Sequence, residues 1–322
     1  MLCLFELSGE HATLPMAELR GIMEAEKAGK EIYHNNRLAI FDISGKIKKI
    51  AGRLALSHSI NEVLASGKKH EVENAIRNIQ IEGSFKIEVI NFDKRFSSNA
   101  LKKEFGKKMM EATHSNVDIK HPENLIKIYS YKKLYITKEL FKIDRHQFEE
   151  RKQKPFELPI TIHPRLARAM VNIARVREKN TIIDPFCGTG TILIEAGLMR
   201  AKVIGIETKK WIADGCKKNM EYFGIESKIY ADDMRNVNAR GNAIVTDFPY
   251  GRASYVGGNL KNLYEDAFKK FDEWIESGYI MAGISNREFI NIGKKYFELL
   301  EIHPYRVHKS LTRFLCLFKK EK

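Results

Sequence analysis

Six consecutive residues, Thr246 to Gly251, bring together groups that suit one kind of chemistry. Within residues 247 to 250 the segment TDFPYG has the Asp247 carboxylate, the Phe248 carbonyl, the rigid ring of Pro249 and the aromatic face of Tyr250. An exocyclic amine on a heteroaromatic base is a poor nucleophile because its lone pair is delocalised into the ring. Acceptors placed on its N–H groups localise that pair and stabilise the positive charge that develops as nitrogen attacks a methyl group. Asp247 and the Phe248 carbonyl are the candidate acceptors. Tyr250 can stack on the flat base and fix its angle, and Pro249 stiffens the turn.

A second segment, TIIDPFCGTGTILIEA, reads as an apolar strand ending at Asp184, a glycine loop, and a helix. Gly188 and Gly190 let the backbone pass close under a ligand, because no Cβ blocks the approach. The next strand ends at Glu207, 23 residues beyond Asp184, about where an acid binds a ribose diol in nucleotide sites. A third strand ends at Asp232 and Asp233, and a fourth at Asp247. Asp232 directly follows its strand and is preferred for an adenine amino group. Four acidic strand ends suit a ligand with a ribose, an adenine and a cationic centre and no phosphate, which describes S-adenosyl-L-methionine (AdoMet). A dinucleotide fits less well, since its pyrophosphate calls for GxGxxG and few carboxylates. The candidate cofactor residues are His163, Asp184, Pro185, Phe186, Cys187, Gly188, Thr189, Gly190, Thr191, Glu207, Asp232, Asp233 and Asp247. Cys187 is expected to face the cofactor and not to act as a nucleophile. No metal is expected: none of Cys3, Cys187, Cys216 and Cys316 stands at a CxxC spacing.

These loops need a sheet to align them. From about residue 160 the pattern alternates strand and helix: HPRLARAMVNIARV, TIIDPF, TILIEAGLMR, KVIGIE, WIADGCKKNMEYFG, KIYADD, NAIVTD, LYEDAFKKFDEWIE and YIMAGIS. Two closing strands follow over 296–318. Such a series predicts a mostly parallel sheet with helices on both faces. Upstream, MLCLFELSG and RLAIFDISG read as strands, and LPMAELRGIMEAE and the long segment IKKIAGRLALSHSINEVLASG as helices. KIEVINF predicts a strand, SSNALKKEFGKKMMEAT a basic amphipathic helix, and LIKIYSY with KLYITKEL a hairpin turned at Lys132 and Lys133. Residues 144–158, charged and aperiodic, read as a linker.

Length and composition bound the setting. The 322 residues, 43% hydrophobic and 30% charged, predict about two globular domains and exclude disorder. No apolar run approaches the roughly 18 residues of a membrane span. Four cysteines are too few for a disulfide framework and fit a reducing, cytoplasmic compartment. The net charge is +14. Residues 1–85 carry 11 basic and 11 acidic side chains, whereas 86–154 carry 17 and 10. An excess that begins in mid-chain predicts a local patch for a polyanion, with Tyr129, Tyr131 and Tyr135 interleaved among its lysines.

DPFCGTGTILIEAG, GIE, ADD and TDFPYG, with HPRLARAMVNIA before them and RVHKSLTRFL after them, resemble the archaeal THUMP-domain tRNA guanine N2-methyltransferases. The closest resemblance is to the Trm-eleven type that modifies guanosine 10. The resemblance covers nearly the whole chain. It implies a ferredoxin-like domain over 1–75, a THUMP RNA-binding domain over 76–143, a linker over 144–159, and a Rossmann-like class I methyltransferase domain over 160–322 with a mostly parallel seven-stranded sheet. It implies AdoMet as cofactor and tRNA as partner. The loop of Asp184 and Gly188 to Gly190 would take the methionine part, Glu207 the ribose, Asp232 and Asp233 the adenine end, and Asp247 to Tyr250 the target guanine. Phe248 stands where the family's D-P-P-Y has its first proline, which bears on the stiffness of the loop. Thr191 stands where glycine is common.

A monomer is expected, with no membrane and no DNA partner, and a small activator protein remains open. Other readings are a THUMP enzyme acting on guanosine 6, an amino-methyltransferase acting on adenine or cytosine, and a tRNA-binding protein that has lost activity. The number of methyl groups added is open at this level.

Overall fold

The structure is a computed structural model that describes residues 1–159, 161–249, 260–308 and 311–321; of 308 and 311 only the backbone is described. Contacts divide the chain into two units. One comprises residues 1–9, 29–47 and 57–143, and the other 10–28, 48–56 and 144–322. One contact boundary falls at 143, where the sequence expectation put one, but none falls at 75, and two stretches of the first 60 residues belong to the same unit as the C-terminal half.

The first unit holds one seven-stranded sheet in the order β2-β3-β1-β4-β7-β6-β5. Its strands are β1 (Leu2–Leu7), β2 (Gly29–His34), β3 (Leu38–Ile43), β4 (Ser57–Gly67), β5 (Phe85–Asn91), β6 (Asn124–Tyr131) and β7 (Lys133–Lys142). β5 and β6 run parallel and the other pairs antiparallel. β4 corrects a reading. Residues 57–67 were expected to continue a helix, yet they pair with β1 on one side and β7 on the other. Two partner strands outweigh the local helical spacing.

The helix α3 (Lys69–Ile76) lies against β4 and β7, and α4 (Ser98–Thr113) against β5. Val72, Ile76, Leu101, Phe105 and Met109 pack against Ile87, Ile126 and Ile128. The expected basic face of this unit is narrower than the sequence suggested. Tyr129 and Tyr135 are buried in the core with Leu4 and Leu38, and the Tyr129 hydroxyl donates to Glu6 at 2.8 Å. Lys127 is buried too, paired with Glu139 at 2.6 Å. Residues alternate across a strand, so half of the hairpin's lysines and tyrosines must face the core. Lys102, Lys103, Lys107, Lys132 and Lys133 remain exposed.

The second unit holds another seven-stranded sheet, ordered β10-β9-β8-β11-β12-β14-β13. β8 (Thr181–Asp184), β9 (Lys202–Ile206), β10 (Ser227–Tyr230), β11 (Ala243–Asp247) and β12 (Gly278–Ile284) are parallel. β13 (Glu298–His308) and β14 (Leu311–Lys320) close the edge antiparallel. One face is covered by α6 (Pro164–Ile173), α7 (Thr191–Gly197) and α8 (Lys210–Tyr222). The other is covered by α9 (Leu260–Trp274) and α10 (Arg287–Gly293). This is the expected mostly parallel arrangement.

Two helices from early in the chain complete this unit, α1 (Leu14–Glu26) and α2 (Ile47–Arg53). α1 crosses α6 at Gly21, where a Cβ would stand 2.3 Å from the Asn172 carbonyl, so no larger residue fits. Below that crossing the buried Glu18 carboxylate accepts the Ala55 and Leu56 N–H groups and the Asn172 amide at 2.7–3.0 Å.

Candidate active site

The chain runs β8, β9, β10 outward and then returns to place β11 on the other side of β8. A crevice opens at such a switch point, above the carboxyl ends of the strands. The sheet order therefore lines up the strand ends that the sequence singled out: Asp232 after β10, Glu207 after β9, Asp184 at the end of β8 and Asp247 at the end of β11.

Asp184 is fully buried. Its Oδ1 accepts the Thr246 hydroxyl at 2.7 Å and the Phe186 N–H at 3.1 Å. Burial pushes its pKa up to about 7, against those two hydrogen bonds and with the negative charges of Asp247 and Glu207 adding to the rise. The loop that follows turns on two glycines with positive φ, +51° at Gly188 and +85° at Gly190. At Gly190 a Cβ would stand 2.7 Å from Cys216 Sγ and Met220 Cε; at Gly188 it would meet nothing within 4 Å. Gly190 thus seats the loop on α8, and Gly188 leaves its outer side open to a ligand.

The remaining loop residues point elsewhere than the backbone they supply. Pro185 and Thr189 are buried, and the Thr189 hydroxyl lies 3.3 Å from that of Thr161. The Cys187 thiol is turned under the loop toward Cys216 and the bare Cα of Gly205. The hydrogen bond with Cys216, and burial, hold its pKa well above the usual thiol value, so it is a core thiol and not one that faces the pocket. His163 caps α6, its Nδ1 accepting the Arg165 N–H at 3.1 Å while Nε2 meets Glu149 at the same distance.

The two neighbouring aspartates at the β10 end have different surroundings. Asp233 is gripped by the Arg235 guanidinium at 2.6 and 2.8 Å and caps the 3-10 turn Met234–Asn236. Asp232 is exposed and accepts the Asp233 N–H at 2.7 Å and the Asn236 amide at 2.9 Å. Glu207, half-buried, accepts the Lys209 N–H at 2.9 Å.

After β11, Phe248 is completely buried. Its N–H donates to the Gly283 carbonyl at 3.0 Å. Its ring stacks on Tyr264 with centroids 4.1 Å apart and planes at 13°, and touches Phe186, Phe268 and Phe271. The aromatic cluster thus supplies by packing the stiffness that a proline would supply by its ring. Phe186 ties the cofactor loop to the same cluster. Tyr250 lies outside the described residues.

Sequence reading missed two groups at this end of the sheet. Arg313 of β14, deeply buried, places Nη2 3.0 Å from Asp247 Oδ2. The β12 residue in register with Asp247 is Gly283, which has no side chain to fill the space between. The second is Lys154, from the supposed linker, whose ammonium donates to the Thr191 hydroxyl at 2.5 Å. Neither had a periodic or spacing signal; both are single basic residues in a chain with 55 of them.

The parallel sheet, the switch-point crevice, the open glycine loop and the carboxylates aligned above it define a Rossmann-like methyltransferase. Two families match the chain: RMKL-like, methyltransferase domain, over residues 151–314, and DNA methylase, over 15–218. The tRNA (guanine(10)-N2)-dimethyltransferase of Methanothermobacter thermautotrophicus is 30% identical, covering 98% of this chain and 98% of that one. The enzyme of the same name from Pyrococcus abyssi is 30% identical over 84% of this chain and 86% of its own. Among solved structures, TrmN from Thermus thermophilus has the same fold, with a TM-score of 0.59 at 16% identity over 99% and 100% of the two chains. The chain belongs to the RMKL-like methyltransferase-domain family and, over nearly its full length, to the tRNA (guanine(10)-N2)-dimethyltransferases.

Proposed function

We propose that the protein transfers methyl groups from AdoMet to the exocyclic N2 of guanosine 10 in tRNA. The observation that carries the chemistry is the pairing of two carboxylates at the switch point, Asp184 on the cofactor side and Asp247 on the substrate side. The pocket's residues fit AdoMet: they are acidic, they leave open space over Gly188 where a Cβ would meet nothing, and the loop DPFCGTG is not the GxGxxG that a pyrophosphate calls for. A structure of the same fold, SMU.472, was solved with SAH, at 14% identity and a TM-score of 0.55 over 98% and 97% of the two chains. AdoMet would supply an electrophilic methyl group. The adenine would lie by Asp232, since Asp233 is committed to Arg235, the ribose by Glu207, and the amino-acid end over the Asp184 loop.

Asp247 and the Phe248 carbonyl would accept the two N–H groups of the target amine and orient its nitrogen for attack. Asp247 stabilises the charge that forms on nitrogen and then takes the proton. Tyr250 is assigned to stacking on the base. A second methylation, which the names of the archaeal relatives favour, leaves one N–H on the nitrogen, and Asp247, having released the first proton, would accept it and take the second. The base must leave its stack to reach this crevice, at a cost of a few kcal/mol. We assign the offset to phosphate contacts by the exposed lysines of the first unit, the region that resembles a THUMP domain. Four buried free cysteines suit a cytoplasmic setting.

The test is incubation of labelled AdoMet with unmodified tRNA transcript, followed by nucleoside analysis. N2,N2-dimethylguanosine is expected, and none when guanosine 10 is replaced by adenosine. Methylated adenine or cytosine would favour the second reading, to which the DNA methylase match points. Saturable tRNA binding without AdoMet binding would mean a non-catalytic protein.

A further inference from the structure

The segment between β7 and α6 is bound closely to the cofactor loop within the second unit. It begins with a short helix, α5 (His146–Glu150). Arg151 then pairs with the fully buried Glu195 of α7 at 2.9 Å, and Arg168 of α6 shares that carboxylate at the same distance. Phe156 exchanges backbone hydrogen bonds with the Asn219 side chain at 2.7 and 2.9 Å, and the same amide donates to the Thr189 carbonyl at 2.8 Å. The Phe156 ring lies on α8 at Gly215, where a Cβ would stand 2.2 Å from it. Trp211 meets its edge at 5.8 Å.

Lys154 sits inside this strap. It is 8% exposed, and its ammonium touches Thr191, the residue directly after Gly190. An ammonium has three N–H donors. The described residues give this one a single acceptor, a neutral hydroxyl, and no carboxylate within ion-pair distance. Burial pushes its pKa down, against the pull of Glu157 and Glu195 from further off. The two arginines nearby are already committed to Glu195. A buried cation with donors to spare is costly unless an anion joins it.

Lys154 touches the residue that follows the glycine loop, and the ligand proposed to lie over that loop carries the complement. Asp184 and Asp247 suit the cationic parts of AdoMet, but its carboxylate would be repelled by both. We infer that Lys154 binds that carboxylate, which makes the strap part of the cofactor site. This rests on the AdoMet reading above, in which the amino-acid end lies over the Asp184 loop.

The experiment is calorimetric titration of the full-length protein with SAH and with decarboxylated SAH, which lacks only the carboxylate. Wild type should bind SAH about 10- to 100-fold more tightly, as for a charge-assisted hydrogen bond. Lys154→Met should bind both ligands with nearly equal affinity, close to that of wild type for the decarboxylated form. Lys154→Arg, which keeps the charge and the anchoring, should retain much of the discrimination. Wild type that binds the two ligands alike would overturn the assignment, without any variant being needed. So would Lys154→Met that discriminates as well as wild type, since another group would then hold the carboxylate. Wild type that binds neither ligand would overturn the AdoMet reading and this assignment with it.

Discussion

Asp184 has the most displaced carboxyl in the site. With its pKa near 7 in the fold and near 3.9 in the unfolded chain, the folded protein holds the extra proton between those values. Stability therefore falls as pH rises from about 4 to about 7. A cationic ligand group favours the carboxylate, so binding expels the proton and SAH affinity should rise with pH through neutrality. In calorimetry near pH 6.5 the apparent binding heat should vary with the buffer's ionisation enthalpy, and should cease to vary in Asp184→Asn. Phe248 makes a second residue-level prediction. Phe248→Pro restores the tetrapeptide commoner in the family, yet it removes the N–H that donates to Gly283 and the ring stacked on Tyr264. It should destabilise the protein by at least about 3 kcal/mol in denaturant titration, much as Phe248→Ala would. The sequence showed Asp184, Asp247 and the glycines because motif spacing marks them. It could not show the Thr246 hydroxyl on Asp184 or Arg313 on Asp247, because both depend on which strands lie side by side.

The loop and the strap act at the level of elements. Gly190 and Gly188 both have positive φ, but only Gly190 is closely packed. Gly188→Ala should cost about 1–2 kcal/mol of conformational strain. Gly190→Ala adds a clash with Cys216 and Met220 that must lift the loop off α8, and should weaken SAH binding at least tenfold more than Gly188→Ala does. Calorimetry on the two variants checks the ranking. The alternation that forms the parallel sheet was legible because most of its strands are short, apolar and followed by an amphipathic helix. β4 was not, because Ile60, Val63 and Leu64 also suit a helix and only pairing with β1 and β7 decides between them. The strap was invisible for a related reason: charged residues without periodicity read as a linker until Glu195, Thr191 and Asn219 are known to receive them.

At the scale of the whole molecule, the two contact units are not two consecutive pieces of chain. Removing residues 1–150 would take α1 and α2 out of the unit that holds the cofactor site, and would strip the Gly21 contact from α6. Loss of activity in such a truncation would therefore say nothing about RNA binding. Charge reversal on the first unit is the cleaner probe. Lys102→Glu with Lys103→Glu and Lys107→Glu should raise the tRNA KM about tenfold at moderate salt. It should also flatten the salt dependence, with SAH affinity and kcat at saturating tRNA unchanged. The net charge of +14 pointed to a polyanion from the sequence alone, but the burial of Lys127, Tyr129 and Tyr135 shows that composition cannot say which side chains meet it.

In the proposed reaction Asp247 accepts the target amine while the Asp184 loop holds the methyl donor. The most direct measurement compares single-turnover methyl transfer to tRNA by wild type and Asp247→Ala, with SAH and tRNA affinities measured on both. Wild type should yield methylated guanosine. The variant should react at a rate at least about 100-fold lower, with SAH and tRNA affinities within a few-fold of wild type. A variant that transfers methyl groups at the wild-type rate would contradict that role of Asp247.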